Sequence, residues 1–179
     1  IIQNEINNYS NVSLGGDGGD ESFFGYITFD AFFLAAKLKK ILPKFVFNLL
    51  RKITSFFKAS SDYITIGTKI RKFFTPINLR ENYLLPGWMG CLEFKDIDNL
   101  FNDKNLTSEL CKDVDILFND KQNLMKSAQL YHYKFYLPMI LNKIDQASMF
   151  NSVECRSPFL SKRIINFSLD SDIKILFKL

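Results

Sequence analysis

Val12-Ser-Leu14 and Gly15-Gly-Asp-Gly-Gly-Asp-Glu21 follow each other directly in the chain, and together they decide its fold. The first three residues form a short apolar run, which predicts the last residues of a buried strand. The next seven residues hold four of the eight glycines in the chain. A helical pattern begins at Asp20, which suits the N-cap, with Glu21 in the first turn. A strand, a glycine-rich loop and a helix in this order predict an α/β fold.

The glycine-rich loop predicts a binding site for phosphate oxygens. Glycine permits positive φ and a close approach to the backbone, so its N–H groups can point towards one anion. The carboxylates of the loop need a further explanation: they hold Mg²⁺ against a polyphosphate, or they orient a nucleophile or bind an amine. The loop is neither a Walker loop nor a dinucleotide fingerprint. By itself, such a cluster is typical of a tight, solvated acidic turn.

The remaining pattern is mostly helical, and no second strand is predicted. The helical segments and their breaks are residues 31–59 with Pro43 as a break, 96–102, 107–119, 122–149 with Pro138 opening a new helix, and 160–169. One strand with six or seven helices is an unbalanced inventory for a complete α/β domain. We therefore expect the C-terminal, mostly helical part of an α/β domain, with a parallel sheet that is incomplete in this chain.

Composition excludes several classes of protein. Among 179 residues, 47% are hydrophobic and 15% aromatic, which is too apolar for a disordered chain. A net charge of +4 requires neither nucleic acid nor a membrane as partner. Three cysteines and one histidine argue against a disulfide framework or a zinc site and favour a reducing compartment, so we expect a cytoplasmic protein. No apolar run approaches the length of a membrane span.

A second region strengthens the interpretation of the loop. Its three runs are Leu130-Tyr-His-Tyr-Lys-Phe-Tyr-Leu-Pro138, Ile140-Leu-Asn-Lys143-Ile-Asp145-Gln-Ala-Ser148-Met149 and Val153-Glu154-Cys-Arg156-Ser-Pro158-Phe159-Leu160. Together with residues 14–26, they resemble the synthetase domain of glutamine-dependent asparagine synthetases. That family reads L-S-G-D/E-G-G-D-E-L-F-G-G-Y at the first region, and Y-L-P, L-x-K-x-D-R-x-S-M and E-x-R-x-P-F-L-D at the second. The resemblance is detailed over residues 12–26 and 130–169.

The resemblance implies an ATP-pyrophosphatase fold over residues 1–179, and a reaction. The family adenylates the side chain of aspartate with ATP and Mg²⁺, and ammonia from glutamine then attacks the adenylate. The resemblance implies that Gly15, Gly16 and Gly18 contact ATP and that Lys143 contacts its phosphates. It implies that Asp17 removes a proton from ammonia. Asp20 and Glu21 would contact the aspartate amino group or the metal, with Asp20 as the Mg²⁺ ligand. Glu154 and Arg156 are expected to pair and brace their loop.

The chain also departs from the family pattern. Gly15 replaces Ser, Phe24 replaces Gly, His132 replaces Asp, Gln146 replaces Arg or Lys, and Ser161 replaces Asp. The Ser-Gly-Gly-x-Asp-Ser phosphate loop and the glutaminase domain are not in this sequence. We therefore expect the missing N-terminal half of the same protein as a partner, with a homodimer left open, and no turnover by this fragment alone.

Two other functions stay open at this stage. A related ligase would amidate another carboxylate or close a lactam. Alternatively, the basic amphipathic segment Phe29–Lys58 would bind an anionic membrane, although a helix pair packed on a domain explains the same pattern. His132, with no second histidine, is expected on a helix surface or at the edge of the core. The ligase interpretation requires Asp17 and Lys143 to converge on one nucleotide pocket.

Overall fold

The computed structural model describes residues 2–56, 65–103, 105–119 and 123–177. In this part of the chain the strands are β1 (Val12–Leu14) and β2 (Glu154–Arg156). The α-helices, in chain order, are α1 (Ile2–Asn7), α2 (Gly19–Phe23), α3 (Ile27–Ile41), α4 (Lys44–Ser55), α5 (Ile66–Phe74), α6 (Leu84–Met89), α7 (Phe94–Leu100), α8 (Leu106–Leu110), α9 (Lys112–Leu117), α10 (Leu124–Tyr131), α11 (Leu137–Met149), α12 (Lys162–Asp170) and α13 (Ile173–Leu176).

The chain divides into two compact units. One unit consists of Ile1–Tyr26 together with Asn123–Leu179, and the other of Ile27–Gln122. The first unit contains both strands and both regions that carry the sequence motifs. The second unit is entirely helical in the residues that the structure describes.

The two strands form a parallel pair, with Ser13 opposite Cys155. The prediction of a single strand was therefore wrong, because Glu154–Arg156 supplies a neighbour for β1 from within the chain. Because β2 has a charged residue at each end, it does not form the apolar run by which a buried strand is predicted. The strand at Val12–Leu14, the parallel sheet and the mostly helical α/β class are confirmed. The prediction that this strand is buried was wrong, because Val12 and Leu14 are exposed.

The helix after the glycine loop differs from the prediction. It begins at Gly19, with Gly18 rather than Asp20 at the N-cap, and it ends after five residues. The reason is that Gly18 has a φ of 86°, a left-handed conformation that turns the chain into the helix before Asp20 is reached. Asp20 and Glu21 both lie in the first turn, where carboxylates are favourable.

The first unit is held together around α10, α11 and α12. Between α10 and α11, residues His132–Tyr136 form a π-helical turn in which the Leu137 N–H donates to the carbonyl of His132. Pro138 lies in the first turn of α11, as predicted, directly after this π-helical turn. Lys126 Nζ donates to the carbonyls of Ser168 and Leu169 and so caps the C-terminal end of α12.

The second unit has a buried aromatic and aliphatic core, and its helix α4 also has an exposed apolar face. Its core includes the fully buried Phe29, Phe32, Leu84 and Leu85. On α4, Phe47 and Thr54 are buried, whereas an apolar stripe on the other side of the helix is exposed. It consists of Phe45, Leu49 and Ile53, with Phe56 directly after the helix. Residues 57–58, the end of the predicted basic segment, lie outside the described residues.

Among the helices described here, none combines the length and apolar character needed to cross a bilayer.

Candidate functional site

The glycine loop extends the strand pair and then turns sharply into α2. The Gly15 N–H donates to the carbonyl of Arg156 over 2.8 Å, which adds one more bond to the parallel pair. The Gly19 N–H donates to the carbonyl of Gly16 over 3.1 Å and closes the turn. At Gly18 a Cβ atom would lie 2.9 Å from Cγ of Leu160 and nearer still to one of its methyl carbons. The loop is therefore packed tightly against the segment that follows β2.

Asp17 lies beside Gly15 and is bound by that same segment. The Ser157 hydroxyl donates to Asp17 Oδ2 over 3.2 Å. A Cβ atom on Gly15 would lie 2.7 Å from Asp17 Oδ2, 3.2 Å from Cys155 Sγ and 3.4 Å from Ser157 Oγ. The place of a side chain at position 15 is thus filled by the carboxylate, thiol and hydroxyl of these three residues. By contrast, a Cβ atom on Gly16 would meet nothing within 4 Å.

Asp20 is exposed, and its carboxylate lies over the backbone of Gly25. A Cβ atom on Gly25 would come within 2.9 Å of Asp20 Cγ, so a larger residue would displace this carboxylate. Mg²⁺ in phosphate sites usually takes one or two carboxylates together with substrate oxygens. Among the described residues, no group of three His, Cys, Asp or Glu side chains could hold a metal. Asp20 is thus a single exposed carboxylate, which provides too few ligands for a metal ion held by the described residues alone.

Glu21 has a different environment from Asp20, because only 1% of it is exposed. Its Oε1 accepts a hydrogen bond of 2.9 Å from the hydroxyl of Tyr26. Burial, followed by this hydrogen bond to a carboxylate, raises the pKa of Tyr26 far above its usual value. The Tyr26 ring stacks on His132 at 5.5 Å between ring centroids and meets Tyr136 edge-on. Glu21 is thus anchored to an aromatic cluster in the interior of the first unit.

Lys143 and Gln146 are exposed on α11, three residues apart and therefore on neighbouring positions of one helix face. Helix α11 packs against β2, which in turn pairs with β1. Helix α11 and the strand that precedes the Asp17 loop thus both contact β2. On β2, Arg156 Nε donates to Glu154 over 2.9 Å, so the expected pair forms, at the surface. This pairing lowers the pKa of Glu154 through the hydrogen bond first and the charge second.

A family model described as asparagine synthase matches residues 1–178. The chain belongs to the asparagine synthase family. Searches of curated proteins and of solved structures returned no match. Membership of this family supports amidation chemistry of the asparagine synthase type at the level of the family.

Phe24 shows how the chain accommodates one departure from the family motif. Its φ is 58°, a left-handed conformation that non-glycine residues adopt at a cost of about 1–2 kcal/mol. The family motif has glycine at this place, which is the residue that such a backbone favours. The Phe24 side chain is buried and packs against Phe177 at 5.6 Å between ring centroids, which offsets the strain.

Two polar residues that the motifs do not indicate bind the site loop. Gln129 is fully buried, and its Nε2 donates to the carbonyls of Glu21 and Ser22 over 3.2 and 3.0 Å. Ser157 binds Asp17, as described above. Gln129 could have been noticed in the sequence only as a polar residue on the apolar side of a predicted helix. Ser157 occupies a variable position of the motif and gave no signal.

His132 lies in the core of the first unit and not on a helix surface, because its side chain is fully buried. Its Nδ1 lies 2.8 Å from the carbonyl of Ala128, to which it donates in the neutral ring. Burial lowers the pKa of His132, and the hydrogen bond to Ala128 opposes this effect only in part. The folded state therefore keeps the ring neutral at a pH where the unfolded chain already binds a proton.

Replacing His132 by Phe is expected to reduce the loss of stability in mild acid. The pKa in the folded state lies below the unfolded value of about 6.5, so the free energy of unfolding falls as the pH falls below about 6.5. Between about pH 7.5 and 5.5, one such histidine accounts for at most about 1.4 kcal/mol. Urea unfolding at both pH values would measure this difference. Since the chain has one histidine, an equal loss in both proteins would contradict the prediction.

Proposed function

We propose that this chain supplies part of the site of an ATP-dependent enzyme that amidates aspartate to asparagine. The substrate, the β-aspartyl-adenylate and ammonia derived from glutamine are taken from the family resemblance. One observation carries the proposal: motif segments 140 residues apart come together, with Asp17 bound to Ser157. Gly18 is packed against Leu160 of the same second segment. An acidic turn without a ligand-binding role would not explain why the second motif encloses the first.

The exposed backbone at Gly16 is proposed as the closest approach to ATP, with Gly15 and Gly18 shaping the loop around it. ATP, when bound, would supply the adenylyl group that activates the carboxylate, and Mg²⁺ would neutralise charge on its phosphates. Asp20 is proposed to bind that ion. Asp17 is proposed to accept the proton that ammonia loses, which is general-base catalysis by a positioned carboxylate. Glu21, buried and bound to Tyr26, is proposed to support from the interior the turn that carries Asp17 and Asp20.

ATP–pyrophosphate exchange by the intact protein that carries this chain tests the proposal. Exchange reports reversible adenylation alone and does not require ammonia. We expect labelled pyrophosphate to enter ATP when aspartate is present and not in its absence. If the exchange rate does not depend on aspartate, the substrate that is adenylated is another carboxylate, as in a related amide- or lactam-forming ligase. No exchange with any carboxylate would refute adenylation.

Substitutions at Lys143 and Gln146 are expected to change the rate of ATP–pyrophosphate exchange in opposite directions. Lys143→Gln removes a cation proposed to face the phosphates, so exchange should fall about tenfold, the effect of losing one charge-assisted contact. Gln146→Arg adds a cation on the neighbouring position of the same exposed helix face and should raise the exchange rate. Lys162→Gln, on the exposed start of α12, is the matched control. If Lys143→Gln and Lys162→Gln give the same rate, the assignment of Lys143 is wrong.

A further inference from the structure

The space beside Gly15 is arranged around one carboxylate. Asp17 Oδ2 accepts the hydroxyl of Ser157 at 3.2 Å and occupies the place where a side chain at position 15 would begin. Among the described residues, none donates a hydrogen bond to Asp17 Oδ1. The two oxygens of this half-buried carboxylate therefore have different environments. One is held by the protein, and the other is left for a ligand.

We propose that Ser157 is a positioning residue for the amide-forming step, acting through Asp17; this inference rests on the proposed function. The Ser157 hydroxyl fixes the rotation of the carboxylate, and the absence of a side chain at Gly15 gives Oδ2 room to be held there. Ser157 follows β2, whose pairing with β1 fixes both residues at one end of the strand pair. The contact is therefore set by regular structure and not by a free loop alone.

The chemical step assigns a definite task to each oxygen. The nitrogen of ammonia forms a bond to the acyl carbon, the bond from that carbon to the oxygen of AMP breaks, and AMP leaves with the electron pair. Asp17 Oδ1 takes the proton that the nitrogen must lose, while the Ser157 hydroxyl keeps its own proton and remains bound to Oδ2. Ser157 therefore touches no reacting atom. Its effect comes from orientation, to which proton transfer and nucleophilic attack are sensitive.

Ser157→Ala in the intact protein tests the inference. With ammonia as nitrogen donor, we expect kcat for amide formation to fall about tenfold or more, while ATP–pyrophosphate exchange stays within about twofold of wild type. Ser157→Thr, which retains the hydroxyl, should restore kcat. Ser108→Ala, in the exposed part of α8, is the matched control and should change neither rate. A parallel fall in exchange and amide formation would overturn the inference.

A double-mutant comparison covers the case in which Ser157→Ala is poorly folded. In an Asp17→Asn background, Ser157→Ala should have no further effect on amide formation, because the group through which it acts is already absent. An additive further loss would overturn the inference. If the wild-type protein exchanges ATP but Ser157 variants show no selective loss, the inference fails alone. If the wild type shows no exchange, the proposed function fails as well.

Discussion

Replacing Asp17 by Asn is expected to lower amide formation by about 10²–10⁴-fold, the usual contribution of a general base. The amide of Asn has nearly the shape of the carboxylate and can still accept the Ser157 hydroxyl, so the fold of the loop should persist. ATP–pyrophosphate exchange should be nearly unchanged, because adenylation precedes the attack of ammonia. Measuring product asparagine and exchange on the same preparation separates the two steps.

The matched control is Asp96→Asn, since Asp96 is exposed on α7 in the other compact unit. It should leave both rates at the wild-type level. The assignment of Asp17 fails if Asp17→Asn forms asparagine at a rate within a few-fold of wild type. It also fails if exchange is lost together with amide formation, because Asp17 would then act in ATP binding.

Replacing Gly18 by Ala is expected to cause the largest loss of stability in the loop. An alanine at a φ of 86° pays about 1–2 kcal/mol for the left-handed backbone. Its Cβ would also lie 2.9 Å from Leu160 Cγ, and such overpacking typically costs about 1–3 kcal/mol. We therefore expect the free energy of unfolding to fall by roughly 2–5 kcal/mol, measured by urea or thermal unfolding.

Gly16→Ala provides the matched control for this prediction, because its Cβ would meet nothing within 4 Å and its φ lies outside the left-handed range. This variant should unfold within about 1 kcal/mol of wild type, as most exposed substitutions do. Equal losses for the two variants would show that neither the conformation of Gly18 nor its packing on Leu160 limits stability.

The sequence predicts the first strand and the glycine loop well, but it does not reveal their neighbour. Val12–Leu14 is an apolar run, whereas the strand that pairs with it has Glu154 and Arg156 at its ends. Parallel strands are usually buried on both faces and read as apolar runs. Here the end residues of both strands are exposed. Only the folded chain shows the pairing, because a three-residue strand carries too little pattern to be recognised.

The extent of the helix after the loop is unpredictable for a different physical reason. Phe24 continues an apolar pattern, so the sequence predicts further helix, yet its backbone is left-handed and α2 ends. Tertiary packing of Phe24 against Phe177 overrides the local preference.

The motifs identify Asp17 as a candidate site residue, but they cannot say which side chain holds it. Its partner Ser157 lies 140 residues away, at a place where the motif specifies no residue type. Two chain segments so distant in sequence meet only because β1 and β2 pair. The candidate residue was therefore predictable from local sequence, whereas its environment was not.

The pairing of Ser13 with Cys155 also has a consequence for folding of the protein during its synthesis on the ribosome. A ribosome must add about 140 residues after β1 before its partner strand exists, which takes roughly ten seconds at about 5–20 residues per second. During that interval the edge of β1 that pairs with β2 has no native partner. The intervening helices depend on contacts nearer in sequence and can form cotranslationally. We therefore expect the glycine loop to acquire its native shape only after translation has passed Arg156.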